Sequence, residues 1–183
     1  MTMVKKTNSE PRILLDCDVI IHFTKAGHQL LLPKIYPNRF VILDKVKEEL
    51  DQRKKSLVAL NNFVEWTKIE VIPFPKDINI IREYARLKIK MGQGEAACMA
   101  VAKHTNDYIA SSNLKDIKKY CEENGIIYLT TMDILLEAYL KGLLTETSCN
   151  NFIQEVKSKD SKLIDRIDTI SQYSKKVKKN NRS

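Results

Sequence analysis

Five short apolar runs alternate along this chain with stretches of helical periodicity, and that alternation leaves few folds open. Arg12–Asp16, Arg39–Leu43, Ile69–Ile72, Asp107–Ser111 and Ile126–Leu129 read as strands, each nearly continuous in apolar residues, as strands buried on both faces must be. Between them lie amphipathic segments: 18–25, 45–55 with Val46 and Leu50 one turn apart, 57–66 behind a capping Ser56, and 77–90 opened by Asp77. Leu114–Glu123 is a further helix stopped by Asn124-Gly125, and Thr130 with Asp133 three residues on resembles a capping box for a helix through Leu140. Strands and helices in strict alternation predict a three-layer α/β/α fold around a central parallel sheet of four to five strands.

The segment MGQGEAACMAVAKH sets two glycines before a helix of small residues, Ala96, Ala97 and Ala100, which predicts a buried helix in close contact with a neighbour. Two more helical stretches, Glu146–Lys157 and Ser161–Tyr173, follow the last strand unit, and the final ten residues are polar and basic. The expected organisation is therefore one α/β domain over residues 1–144 and a helical extension with a mobile basic tail over 145–183.

Composition narrows the function by exclusion. The net charge is +8, but residues 157–183 hold nine Lys or Arg against three Asp or Glu, so most of the basic excess lies in the extension and says little about the body. The four cysteines, Cys17, Cys98, Cys121 and Cys149, have no C-x-x-C spacing and no suitably spaced histidine, which argues against zinc. No apolar run approaches the roughly 20 residues of a membrane span, and the polar N-terminus resembles no signal segment, so a reduced, cytoplasmic protein is expected.

Acids stand where an open α/β sheet gathers its reactive groups, beyond the carboxyl ends of the strands. Asp16 ends the first strand, Glu49 lies in the helix after the second, Glu95 opens the small-residue helix, and Asp116 follows the fourth strand. Carboxylates brought within a few ångströms repel by roughly 4 kcal/mol per close pair at an intermediate dielectric. A divalent cation would offset that, and oxygen donors without cysteine or histidine suit Mg²⁺ or Mn²⁺. Such an ion acidifies bound water and neutralises charge on a phosphodiester.

LLDCDVIIHF, VKEEL, GQGEAACMAVA and IASSNLKDI, in that order over residues 12–143, resemble the successive motifs of the PIN-domain ribonuclease family. The resemblance implies that Asp16, Glu49 and Glu95 are the first three acids, with Asp116, or the Asn113 side chain, in the fourth place; the metal ligands would be Asp16, Glu95 and Asp116. It implies a Mg²⁺- or Mn²⁺-dependent endoribonuclease, commonly the toxin of a bacterial toxin–antitoxin pair, whose partners are RNA, an antitoxin or other protein, and a second copy of the chain. Asp18, Ser112 and Asn113 would support the site, and Lys115, Lys118 and Lys119 would hold phosphates.

Plainer roles stand beside these. Asp16 could cap the following helix, with Asp18 better placed for it; Glu48 and Glu49 share a charged helix; Asp116 could pair with Lys119; and His22, His28 and His104 form no nucleophile triad. Two other functions stay open. A degenerate PIN fold would bind RNA or protein without cutting, and LLDCDV also fits the strand-then-D-x-D start of haloacid-dehalogenase-type phosphatases, although the later lysine and acidic pair of that family have no good match.

Overall fold

The computed structural model describes residues 10–53, 60, 62–159, 163 and 166–180. Its centre is a parallel sheet of five strands in the order β3-β2-β1-β4-β5, comprising β1 (Ile13–Leu15), β2 (Phe40–Leu43), β3 (Glu70–Ile72), β4 (Tyr108–Ala110) and β5 (Tyr128–Leu129). Helices flank the sheet, giving the α/β/α architecture expected from the alternation. β1 is central because its side chains suit nothing else: Ile13, Leu14 and Leu15 are fully buried, and each such burial contributes about 1.5–3 kcal/mol.

The helices are α1 (Cys17–Lys25), the short α2 (Leu32–Ile35) behind a single 3₁₀ turn, α3 (Asp44–Arg53), α4 (Phe63–Thr67), α5 (Ile78–Lys88), α6 (Gln93–His104), α7 (Leu114–Asn124), α8 (Thr131–Leu140), α9 (Glu146–Ser158) and α10 (Ile170–Asn180). α6 is the buried helix foreseen from its small residues. Ala96, Ala97 and Ala100 have no exposed surface, and the helix packs on α5, α3 and the strands β1, β2 and β4. Gly125 ends α7 in the left-handed conformation at φ 65°, and Thr130 and Asp133 form the capping box of α8.

Chain order and sheet order disagree at one seam. From β1 the chain winds outward through β2 and β3, then crosses back to place β4 on the other side of β1, pairing Ile13 with Tyr108 and Leu15 with Ala110. This is a topological switch point, where ligands of doubly wound sheets bind beyond the strand carboxyl ends. The opposite end of the seam is fastened by a two-pronged ion pair, Arg12 Nη2 to Asp107 Oδ2 at 2.6 Å and Nε to Oδ1 at 3.1 Å.

Three local features differ from the sequence reading. The 3₁₀ turn and α2, which starts at Leu32 with Pro33 in its first turn, were not foreseen in the connection between α1 and β2. Ser56 and residues 57–59 and 61 of the helix expected behind it lie outside the described residues, and its described end is α4. Residues 161–173 are not one helix: Arg166 turns at φ 60°, and helix resumes only at Ile170, running to Asn180 across the basic stretch expected to be a tail. The apolar spacing of Ile167 and Ile170 was real, because both are buried, but a docked turn satisfies it as well as a helix.

The segment after Thr145 packs on the sheet domain. α9 lies against α1 and α8, with the Phe152 ring 4.9 Å from that of Phe23. α10 lies on α8 and α9, where the Tyr173 hydroxyl donates to Asp133 Oδ1 at 2.6 Å.

Candidate functional site

At the carboxyl end of the β1–β4 seam, Asp16 follows the last residue of β1, and its amide still donates to Ala110 O across the seam at 2.9 Å. The side chain is only 5% exposed, and Oδ1 accepts the Cys17 amide at 2.7 Å, so Asp16 caps α1 as well as standing at the strand end. One amide does not offset burial. Desolvation first, then the charges of Asp18 and Glu95 and more weakly Glu49, push the Asp16 carboxyl well above the usual carboxylate range.

Asp18 turns toward the loop between β4 and α7. Its Oδ2 accepts the Ser112 amide at 2.7 Å and the Ser111 hydroxyl at 3.4 Å, and Oδ1 accepts the Val19 amide at 2.6 Å. Burial raises its carboxyl despite these donors. Asp18 therefore ties α1 to the loop on the far side of the seam, while capping of α1 falls to Asp16.

Glu95 stands in the first turn of α6 and is 7% exposed. Burial, then Asp116 and Asp18, raise its carboxyl to about 7, against a lowering hydrogen bond from the Asn113 side chain. Its Oε1 is buried and has no hydrogen-bond partner among the described residues. Leaving such an atom orphaned costs of the order of 1–3 kcal/mol, which is a reason to look for a ligand there.

Glu49 reaches the same end of α6 from α3, and its Oε2 accepts the Gly94 amide at 3.0 Å. An anion belongs at a helix N-terminus. The two glycines make room for it: a Cβ at Gly92 would meet Glu49 Oε2 at 3.3 Å, and one at Gly94 would meet it at 3.1 Å and Val46 Cα at 3.3 Å. Glu48, its neighbour, is exposed and pairs with Lys45 at 2.8 Å. In Gly94→Ala, crowding against backbone costs about 1–3 kcal/mol and offsets a helix-propensity gain of about 1 kcal/mol. A net loss of about 1 kcal/mol in denaturant unfolding is expected, and a gain would contradict the crowding seen here.

Asp116, in the first turn of α7, accepts Asn113 Nδ2 at 2.7 Å. It does not pair with Lys119, which reaches Glu123 at 3.7 Å, while Lys118 reaches Glu122 at 3.9 Å. These two lysines are thus directed one turn along α7, whereas Lys115 is exposed on its first turn beside Asp116. The Ser112 side chain engages Thr131 on α8 at 2.8 Å. Sequence reasoning missed Thr131, Ser111 and the two-glycine cradle, and it gave His22 no part in the site. The signal for the cradle was present in G-Q-G-E, where glycine precedes a helix that already has room for alanine.

Asp16, Asp18, Glu49, Glu95 and Asp116 thus come from separate regions of the chain into electrostatic range of one another. Their donor chemistry and the orphaned Glu95 Oε1 suit a hard divalent cation. As the side chains sit, however, no three His, Cys, Asp or Glu among the described residues close to liganding distance around one ion. The reason is visible in the bonds above, because Asp16, Asp18 and Glu49 are each turned toward a backbone amide and Asp116 toward Asn113.

A family model described as a PIN domain matches residues 12–172. The chain belongs to the PIN-domain family. Among curated proteins nothing matches the chain. PIN domains have a nuclease-type fold and are in general nucleases, they typically use divalent metals, and the family generally binds RNA and often works with antitoxins. The phosphatase alternative is left without support. The match extends past residue 144 through α9 and into α10 of this PIN domain. Among the described residues no helix is long and apolar enough to cross a membrane.

Proposed function

We propose that this PIN domain hydrolyses RNA phosphodiesters at the carboxyl end of the β1–β4 seam. The observation that carries the reading is the convergence of Asp16, Glu49, Glu95 and Asp116, with Glu95 Oε1 buried and unpartnered among them. Asp16, Glu95 and Asp116 would hold Mg²⁺ or Mn²⁺, which when bound supplies an acidified water and neutralises charge on the scissile phosphate. Glu49 would orient that water from its seat on the Gly94 amide. Asp18, Ser112 and Asn113 fix the loop that presents Asp116, and Lys115 offers a phosphate contact beside it; Lys118 and Lys119 would serve only by leaving Glu122 and Glu123.

In this reading the protein is a cytoplasmic endoribonuclease, the toxin of a toxin–antitoxin pair. The segment from residue 145 on, whose described part carries α9 and α10, contacts RNA, the antitoxin or a second copy of the chain. A second reading, an RNA- or protein-binding PIN module without catalysis, draws on the spacing of the acids, since no three close around one ion as they sit. Incubation with single-stranded RNA in Mn²⁺ separates the two: internal cleavage abolished by EDTA is expected, whereas retention of intact RNA in both conditions favours the module.

A further inference from the structure

Three elements meet behind the loop between β4 and α7 through a hydrogen-bonded chain that ordinary core packing does not require. Thr131, the first residue of α8, is fully buried, and its Oγ1 lies 2.8 Å from His22 Nδ1 on α1. Ser112 Oγ donates to Thr131 Oγ1 at 2.8 Å and accepts the Thr131 amide at 2.8 Å. The Ser112 amide in turn donates to Asp18 Oδ2 at 2.7 Å. We infer that His22, Thr131 and Ser112 are positioning residues of the acidic site, acting through the Ser112 peptide on Asp18. The inference rests on the nuclease reading for its kinetic consequence, but not for its geometry.

Proton counting gives the chain a direction. Ser112 spends its hydroxyl proton on Thr131, which leaves the Thr131 hydroxyl proton for His22 Nδ1 in the tautomer where that nitrogen is the acceptor. That requires a neutral imidazole protonated at Nε2. Burial lowers His22 to about 4, so the ring is neutral at physiological pH. All three groups then have partners along one line.

The line ends on a residue that matters to the site. Asp18 is a neighbour whose charge raises both Asp16 and Glu95, as Glu49 does more weakly, and its Oδ2 is seated on the Ser112 amide. Ser112 is held in place by two bonds between its hydroxyl and Thr131. Thr131 is itself immobilised, because the preceding Thr130 takes part in the capping box with Asp133, and Asp133 is gripped by Tyr173 of α10. An apolar residue at 131 would fill the same space without the desolvation of a buried hydroxyl, so the polar chain fixes a geometry rather than adding stability.

The test compares Thr131→Val, which keeps the volume and breaks the chain, with Thr131→Ser, which keeps the hydroxyl. In the full-length protein without added metal, the Ser112 amide proton is expected to move upfield and lose exchange protection in Thr131→Val and to stay as in wild type in Thr131→Ser. RNA cleavage in Mn²⁺ is expected to lose about tenfold or more in kcat with KM nearly unchanged, as for other groups that orient active-site ligands, and the serine variant restores it. Should Thr131→Val fail to fold, Ser112→Ala breaks the chain at its next link and is read the same way. An unmoved Ser112 amide, or equal losses in the valine and serine variants, overturns the inference. Wild-type protein without cleavage would overturn the nuclease reading instead, while the amide shift still decides the positioning.

Discussion

Asp16→Asn is expected to lower RNA cleavage by at least about a hundredfold while the protein melts at the same temperature as wild type or higher. The two halves of this expectation have one cause. Asp16 is buried against Asp18 and Glu95, and the one hydrogen bond of its side chain among the described residues runs from the Cys17 amide to Oδ1, an atom that the carboxamide oxygen of asparagine replaces. The substitution keeps the cap of α1 and deletes the charge. If Asp16 served the fold, losing it would cost stability; because its carboxyl is disfavoured by burial and repulsion, losing it relieves the fold and removes the chemistry. Cleavage within threefold of wild type would reject the assignment of Asp16, and a large loss of stability with unchanged circular dichroism at low temperature would show that the acid is structural.

The second large effect is a stability that falls as pH rises through the weakly acidic range. Glu95 is raised from 4.5 to about 7, so above pH 4.5 the unfolded chain gives up this proton while the native chain keeps it. The native state then binds more protons, and stability declines with rising pH until the folded carboxyl has also ionised near pH 7. Asp16 and Asp18 are raised too and act in the same direction. For Glu95 alone the loss is on the order of 2 kcal/mol after allowance for partial solvent screening, which corresponds to roughly 4–8 °C in melting temperature for a domain of this size. Millimolar Mn²⁺ is expected to restore most of it at about pH 8 and little at about pH 5, where the protonated acids bind no cation. Thermal unfolding at the two pH values with and without Mn²⁺ measures both arms. A melting temperature that climbs between about pH 5 and about pH 8 without metal would contradict the raised Glu95.

Strand positions were legible because burial on both faces demands apolar runs that few other elements tolerate, as in Ile13–Leu15 and Phe40–Leu43. The position of Asp16 was legible for a related reason, since a charge at the end of a buried strand has no place in the apolar core. The choice of Glu49 over Glu48 came from resemblance to a family motif, and its contact with Gly94 arises across 45 positions, beyond any local pattern. The same limit hid the His22–Thr131 contact, 109 positions apart, and the grip of Ser112 on Thr131. Asp116 shows the opposite failure: Lys119 sat at helical spacing, yet a neighbouring asparagine in the loop offered a shorter path. The start of α10 was misplaced because an apolar period persists through the turn at Arg166, where φ is 60°.

Under the nuclease reading proposed above, strand order also sets when cleavage can first begin. β1 holds Asp16, yet its partner across the seam, β4, is translated some ninety residues later, and Asp116 later still. Because domains fold as they emerge from the ribosome at about 5–20 residues per second, several seconds separate synthesis of the first acid from the arrival of the strand that encloses it. A nascent chain that ends before β4 carries Asp16, Glu49 and Glu95 without a cleft to hold them. In that reading translation itself supplies an interval without cleavage, which closes only when β4 and α7 join the sheet.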